Sequence, residues 1–305
     1  MRVLIYEGDS FISSHIADRF HKEGHDVTCI YTKSMKMGTY PSAPHTKYRY
    51  SNVLAQLDKI VKNERPHIIV FSRDQQVTTI AQLQSQMNIL SQLLDASVKY
   101  NVSRFIYLSD ISVYGNSKEL YTEEDAPQPE TLDAKCHALA ESAVLKWRYE
   151  KEFSNVILRC ATAYGQRQDI GSGNIVWKMI KQAVTEKSIR EGLFQYHSIV
   201  YSGDLVDAVY RSIGDLAQGV YNITPDETVK GTDLAAAVSS FFPIKAPEAA
   251  EPTKKSVNAD NSKAKTELGF VNRVAPDKGI EHCYNWYKQN PKTKSEVKAE
   301  KAKKT

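Results

Sequence analysis

The sequence predicts an α/β fold in which a doubly wound parallel sheet carries helices on both faces and a smaller C-terminal region is interleaved with it. Three observations lead there. Short apolar runs of strand composition at residues 3–6, 27–31, 67–71, 105–108 and 156–159 alternate with amphipathic stretches of helical spacing such as 80–100 and 134–150. Each pair of runs is separated by the length a crossover helix needs, so neighbouring strands run parallel. The chain of 305 residues with 41% hydrophobic content is long enough to bury such a core.

The first unit has the shape of a strand, a polar turn and a helix: Val3 to Ile5 enter the turn, and Phe11, Ile12, Ile16 and Phe20 then recur as on a helix packed against a sheet. After Tyr164-Gly165 the alternation loosens. Residues 175–184, 205–213 and 233–241 read as helices, 198–201 and 219–223 as strands, and the Pro/Ala/Glu-rich stretch 244–255 as an exposed loop. The organisation expected is a Rossmann-like dinucleotide-binding domain over 1–165, a smaller substrate-binding region over 166–287 interleaved with it, and a disordered tail over 288–305.

Composition removes several function classes. The net charge of +4 is uneven: residues 288–305 hold seven lysines and two glutamates, which leaves the body with 33 basic and 34 acidic residues. A neutral body is a poor nucleic-acid surface, so RNA binding through the tail is a disfavoured reading. The four cysteines lack CxxC spacing and are expected as buried thiols, with no metal site. No stretch approaches the roughly 18 apolar residues of a membrane span, and no signal-peptide pattern follows Met1, so a cytoplasmic protein without membrane association is expected.

Several ordered segments resemble the extended short-chain dehydrogenase/reductases, the NAD-dependent epimerase/dehydratase family acting on nucleotide sugars. They are Phe11-Ile12-x-Ser14-His15, the strand Arg104 to Ser109 with Val113-Tyr114-Gly115, Leu158-Arg159 with Tyr164-Gly165, Asp204 with Ala208, Gly219 to Ile223, and Asp260, Lys263-Ala264 and Leu268-Gly269-Phe270. The likeness spans about residues 1–287. It implies a Rossmann-like fold, NAD or NADP as cofactor, a nucleotide or sugar-nucleotide ligand, and a homodimer as one arrangement of the chain.

The residues at the implied sites depart from that family. Its glycine triplet gives the turn its geometry and lets the pyrophosphate approach the main chain at a helix N-terminus. Here the triplet positions are Glu7, Ser10 and Ser13, with Phe11 and Ile12 between them and an extra Gly8. At the end of the second strand the acidic ribose ligand falls near Tyr31, followed by Lys33, which would meet a 2'-phosphate or stand solvated at the surface. The fourth strand ends in Phe71-Ser72-Arg73-Asp74, where small residues line the cofactor in the family. His197 falls near where the family carries an Arg for the nucleotide diphosphate, and Tyr164 at the turn into the substrate region.

The family reaction needs a Tyr as acid/base, a Lys four residues on, and a Ser or Thr for the substrate hydroxyl. Counting back from Val113-Tyr114, the Ser/Thr position is Asp110. One register of the Tyr-x-x-x-Lys helix gives Thr131 and Lys135. The preferred register, anchored on Pro127, Pro129 and Ala140-Glu141, gives Asp133 and His137. Neither contains a tyrosine. The expectation is a binding or regulatory pseudoenzyme in which NAD(P) binding is weak or lost, and in which Asp110, Asp133 and His137 fill vacated positions by bonding one another. The alternatives are an active nucleotide-sugar epimerase, dehydratase or reductase with displaced catalytic residues, a repurposed acid/base or metal site, and an RNA-binding member.

Overall fold

The computed structural model describes residues 1–31, 47–50, 56–73, 76–151, 154–248, 251–253 and 255–290; Lys33, Asp74 and residues 291–305 lie outside them. Strand β1 (Arg2–Tyr6) leads through a tight turn to α1 (Phe11–Lys22), followed by β2 (Asp26–Tyr31), β3 (Lys47–Tyr50), α2 (Gln56–Glu64), β4 (Ile68–Phe71), α3 (Ile80–Lys99) and β5 (Arg104–Asp110). After a 3-10 turn, Ile111–Tyr114, come α4 (Leu132–Lys151), β6 (Asn155–Cys160), β7 (Thr162–Tyr164), α5 (Ile175–Thr185), β8 (Tyr196–His197) and β9 (Ile199–Tyr201). The remainder is α6 (Ser202–Arg211), β10 (Gly219–Ile223), β11 (Val229–Lys230), α7 (Gly231–Ser239), a π-helical turn, Ala264–Leu268, and α8 (Pro276–Gln289).

The central sheet has seven parallel strands in the order β3-β2-β1-β4-β5-β6-β10. Winding outward from β1 in one direction and resuming at β4 in the other opens a crevice at the strand carboxyl ends. Alternation along each strand builds the two faces. Val3, Ile5, Ile68, Val70, Ile106, Leu108, Val156 and Leu158 point into one core with α1 and α6. Leu4, Tyr6, Ile69, Phe71, Phe105, Tyr107 and Ile157 point into the other with α2, α3 and α4. A third cluster joins α5, α7 and α8 around Trp177, Leu234 and Ile280. Residues 1–165 alone do not complete the sheet, because β10 supplies its last strand.

Local chemistry sets the helix starts. Ser10 caps α1, its Oγ accepting from the N–H of Ser13, and the basic residues Arg19, His21 and Lys22 suit the carboxyl end of the helix. Helix α3 opens on a capping box of Thr79 and Gln82. Helices α2 and α8 are not among the expected elements. The second begins with Pro276 in its first turn, a start signal, and buries Ile280 and Cys283 four and seven residues on. It also continues through Lys288 and Gln289, two residues into the segment expected to be disordered. All four cysteines are buried free thiols. Among the described residues no helix is long and apolar enough to cross a membrane.

A buried ion pair locks the middle of the sheet to α4. Glu141 receives Arg159 through Nη2 at 2.7 Å and Nε at 3.1 Å, and the Ser109 hydroxyl donates to Glu141 at 2.5 Å. The Arg159 guanidinium also lies 4.6 Å from the centre of the Tyr114 ring. Removing one partner of such a pair strands a buried charge and costs about 3 to 5 kcal/mol, whereas replacing both with apolar groups costs far less. Urea denaturation of Glu141→Leu is therefore expected to show a loss of about 3 kcal/mol or more, and Glu141→Leu combined with Arg159→Met to recover most of it.

Candidate ligand cleft

A cleft of about 830 Å³ opens at the carboxyl ends of the central strands. Its walls come from the start of α1 (Phe11, Ile12), the ends of β4 (Ser72, Arg73), β5 (Ser109, Asp110) and β6 (Cys160), the side of α4 (His137), and residues of the C-terminal half such as Asn174 and His197.

The turn between β1 and α1 carries side chains at the triplet positions that the family resemblance implies, Glu7, Ser10 and Ser13. Glu7 adopts the left-handed region with φ 50°, which costs a residue with a side chain about 1 to 2 kcal/mol. Gly8 is required for a different reason: a Cβ there would run into the side chain of Cys29. The side chains at the other two triplet positions fold back onto the chain. Ser10 Oγ takes the N–H of Ser13 (3.4 Å), and Ser13 Oγ donates to the carbonyl of Tyr6 (3.3 Å). One helix N–H that would face an anion is thus turned to the helix's own cap.

The ends of β4 and α4 are joined by an ion pair. Arg73 Nη1 donates to Asp133 Oδ1 at 2.6 Å, and the backbone N–H of Val77 donates to the same oxygen at 2.8 Å. The Arg73 side chain is 3% exposed and that of Asp133 26%. The residues of the other register lie elsewhere: Thr131 caps α4, its Oγ1 accepting from Ala134 N–H, and Lys135 is exposed. Neither lines the cleft.

His137 and Asp110 do line it. Tyr6, Phe71 and Tyr107 are partners in register across β1, β4 and β5. Tyr6 and Phe71 stack with centroids 4.7 Å apart, and Phe71 lies 5.8 Å from Tyr107. The Tyr107 hydroxyl meets His137 Nδ1 at 2.9 Å. Burial raises the Tyr107 hydroxyl well above its ordinary range, so it keeps its proton. Burial, and then the Arg73 charge, hold the His137 imidazole well below its usual value, so the ring is neutral. The two groups share one hydrogen bond, whose direction is set by the imidazole tautomer. Asp110 ends β5 and accepts the N–H of Ser112 at 2.7 Å. Burial pushes its carboxyl up, against the hydroxyl and N–H of Ser112.

Two expectations need correction. Asp110, Asp133 and His137 are neighbours without hydrogen bonds among themselves; each is held by a different partner, Ser112, Arg73 and Tyr107. Tyr164 does not face the cleft. Its ring is 1% exposed, lies edge-on to Tyr201, and packs against Gly279, where any Cβ would collide with it. His197 lines the cleft with Nε2 hydrogen-bonded to the Gly192 carbonyl at 2.8 Å, and burial lowers its pKa against that carbonyl. Among the described residues no group of three or more His, Cys, Asp or Glu is arranged to hold a metal ion. The pairing of Arg73 with Asp133, the Tyr107 hydroxyl behind His137, and the lining residues Ser198 and Gln168 are not foreseen from the sequence; of these only Tyr107 has a signal, its two-residue spacing from Ser109 on β5.

Residues 3–224 match the sequence model of the NAD dependent epimerase/dehydratase family. The chain belongs to that family. Among its curated relatives, GDP-mannose 3,5-epimerase 1 of Oryza sativa subsp. indica is 25% identical, covering 95% of this chain and 82% of the relative. Among solved structures, the UDP-glucose 4-epimerase of Thermotoga maritima with UDP-glucose superposes with a TM-score of 0.84 at 21% identity, covering 95% of this chain and 99% of that one. The UDP-glucose 4-epimerase of Thermus thermophilus, in complex with NAD, gives 0.83 at 21% identity, covering 94% and 99%. At these identities the structural likeness establishes the epimerase/dehydratase fold.

The packing of α1 against the segment after β7 makes the fold sensitive to acid. His15 Nε2 meets the Gln166 carbonyl at 3.0 Å, and burial holds its imidazole down at about 4, with the carbonyl pulling the other way. The unfolded chain binds that proton near 6.5, so the contribution is complete above pH 6.5 and is lost as pH falls toward about 4. Thermal or urea unfolding across this window should show the loss, and His15→Gln should make it shallower by about 1 to 2 kcal/mol.

Proposed function

We propose that this chain is a binding or regulatory member of the epimerase/dehydratase family that has lost NAD(P)-dependent hydride transfer and uses its cleft for a nucleotide or sugar-nucleotide ligand. The observation that carries the reading is the ion pair between Arg73 and Asp133. It joins the end of β4, where the family resemblance implies small residues against the cofactor, to the position implied for the catalytic tyrosine. A dinucleotide seated in the family manner would have to displace this pair. Breaking a largely buried pair costs about 3 to 5 kcal/mol, equivalent to more than a hundredfold in affinity.

The neighbouring chemistry supports the same reading. Asp133, committed to Arg73 and to the N–H of Val77, has no phenolic proton to exchange with a substrate hydroxyl. His137 is uncharged at the position of the lysine and lacks the cation that would lower a tyrosine pKa and grip a ribose. Glu7 puts a buried side chain, in the left-handed region, at a triplet position where the family resemblance implies glycine. The residues present do not fit the dinucleotide. The described residues lining the cleft include no tyrosine, which counts against an active enzyme with a displaced acid/base.

The ligand class comes from the relatives, one solved with UDP-glucose and another named for GDP-mannose. The test is titration calorimetry of the full chain with NAD+, NADH, NADP+ and NADPH. Dissociation constants above about 0.1 mM are expected, a hundredfold beyond a micromolar site. A low-micromolar constant for any of them would overturn the reading.

A further inference from the structure

Three guanidinium groups from three separate elements converge on one carboxylate. Asp207, on α6, is 4% exposed. Arg19 of α1 donates from Nη1 to its Oδ1 at 2.9 Å. Its Oδ2 accepts from two arginines, Arg211 Nε one turn on along α6 at 2.6 Å and Arg273 Nη1 from the segment before α8 at 3.1 Å. The two donor nitrogens on Oδ2 therefore lie within 5.7 Å of one another, the sum of their distances to that atom. None of the three arginines lines the cleft.

One guanidinium suffices to balance a carboxylate, so Asp207 alone does not account for three. Arg19 is matched a second time, by Glu23, to which its Nε donates at 3.0 Å, and its guanidinium lies 4.5 Å from the centre of the Tyr210 ring. Arg211 and Arg273 have no second ion pair among the described residues. Arg211 commits Nε and keeps the edge formed by Nη1 and Nη2; Arg273 commits Nη1 and keeps the edge formed by Nε and Nη2. Each open edge is a fork of parallel N–H groups that fits two oxygens of one oxyanion. The two side chains are 37% and 50% exposed, so the forks reach solvent.

Two neighbouring features oppose an anion here, and both are blunted. Arg211 is the last residue of α6, where the helix carbonyls carry partial negative charge, but Arg104 Nη1 donates to the carbonyls of Ser212, Gly214 and Ala217 just beyond. Asp204 is buried, and its Oδ2 takes the backbone N–H groups of Arg273 and Val274 at 3.1 and 3.0 Å. Packing places the Arg211 fork: Nη1 lies over the bare backbone of Gly269, where a Cβ would come within 3.1 Å of it.

The number of acceptors decides the class of anion. A carboxylate has two oxygens and fills one fork. A phosphate or phosphomonoester has at least three and engages both forks at once. We propose that Arg211 and Arg273 form a surface site for a phosphate group, with Asp207 as the residue that holds the two guanidinium groups side by side. The phosphate can be inorganic or the monoester of a small metabolite, since both present the same terminal oxygens. This site is independent of what the cleft binds.

The test is calorimetry on the full chain at low ionic strength and about pH 8, above the second phosphate pKa of about 6. The probes are inorganic phosphate, glycerol 3-phosphate and, at matched ionic strength, acetate. At least one phosphate compound is expected to bind with a dissociation constant of about 1 mM or tighter, tenfold or more below that of acetate. Glycerol 3-phosphate binding tenfold or more tightly than inorganic phosphate assigns the ester; any smaller preference assigns the inorganic ion. Arg273→Gln and Arg211→Gln each leave Asp207 with two arginines, and each should weaken phosphate binding tenfold or more. Arg273→Lys keeps the charge without the fork and should lose most of the same affinity.

Absence of saturable binding of either phosphate to the parent chain would overturn the site, and so would acetate binding as tightly as phosphate. A parent-like phosphate affinity in Arg273→Gln, at a parent-like melting temperature, would place the phosphate elsewhere on the chain and overturn it as well. Should Arg211→Gln fail to fold, the two Arg273 variants decide the outcome alone, because Arg273 is the most exposed of the three and gives Asp207 only one of its contacts.

Discussion

The ion pair between Arg73 and Asp133 is the constraint around which the cleft is organised. It joins the end of β4 to the first turn of α4, two elements 60 residues apart in the chain. The Val77 N–H donates to the same Asp133 oxygen, so the loop entering α3 is tied to the same point. Its cation lies near His137 and helps keep that ring neutral, and it counters the effect of burial on Asp110. Burial sets the electrostatic state of the cleft first, and this one contact adjusts it at both His137 and Asp110.

The sheet beneath supplies the rigid part. Because Tyr6, Phe71 and Tyr107 occupy matched register positions on β1, β4 and β5, their rings form a continuous row on the α3/α4 side, and the last hydroxyl of the row reaches His137. A side chain on a central strand, packed among aromatics, holds its rotamer firmly, and the histidine inherits that order. On the same face of β5, two residues on, the Ser109 hydroxyl and the Glu141–Arg159 pair fix α4 against the strands. The imidazole therefore sits between two buried polar anchors on the same helix. Strain is present as well, at Glu7, a residue with a side chain held in the left-handed region.

Much of the fold is legible in the sequence because burial on both faces imposes simple patterns. Continuous apolar runs mark the central strands, and helical spacing marks α1, α3, α4 and α5. Helix α2 and helix α8 are harder to read, the latter although Pro276 marks its start, because their apolar stripes are short and set among lysines and polar residues. Asp110 and His137 are found by counting from Val113-Tyr114-Gly115 and Ala140-Glu141, since the backbone path there is fixed by the strand and helix. Their partners are not. Which residue meets Asp133 depends on how the β4 loop is laid against α4, and no local pattern around Arg73 encodes that. Tyr164 is misplaced by the sequence for a related reason: whether a ring at a strand end faces a cleft or a core is decided by what packs on it, here the bare backbone at Gly279. Lys33 lies outside the described residues.

The central claim is that the chain's own side chains have taken the place of the dinucleotide. Native mass spectrometry of the full chain, purified without added ligand, tests it most directly, because family members that use the cofactor for hydride transfer must hold it through the reaction. The account predicts a spectrum of the polypeptide without a bound dinucleotide, alone or with a sugar-containing ligand. A stoichiometric mass increment equal to NAD or NADP, released on denaturation, would contradict it.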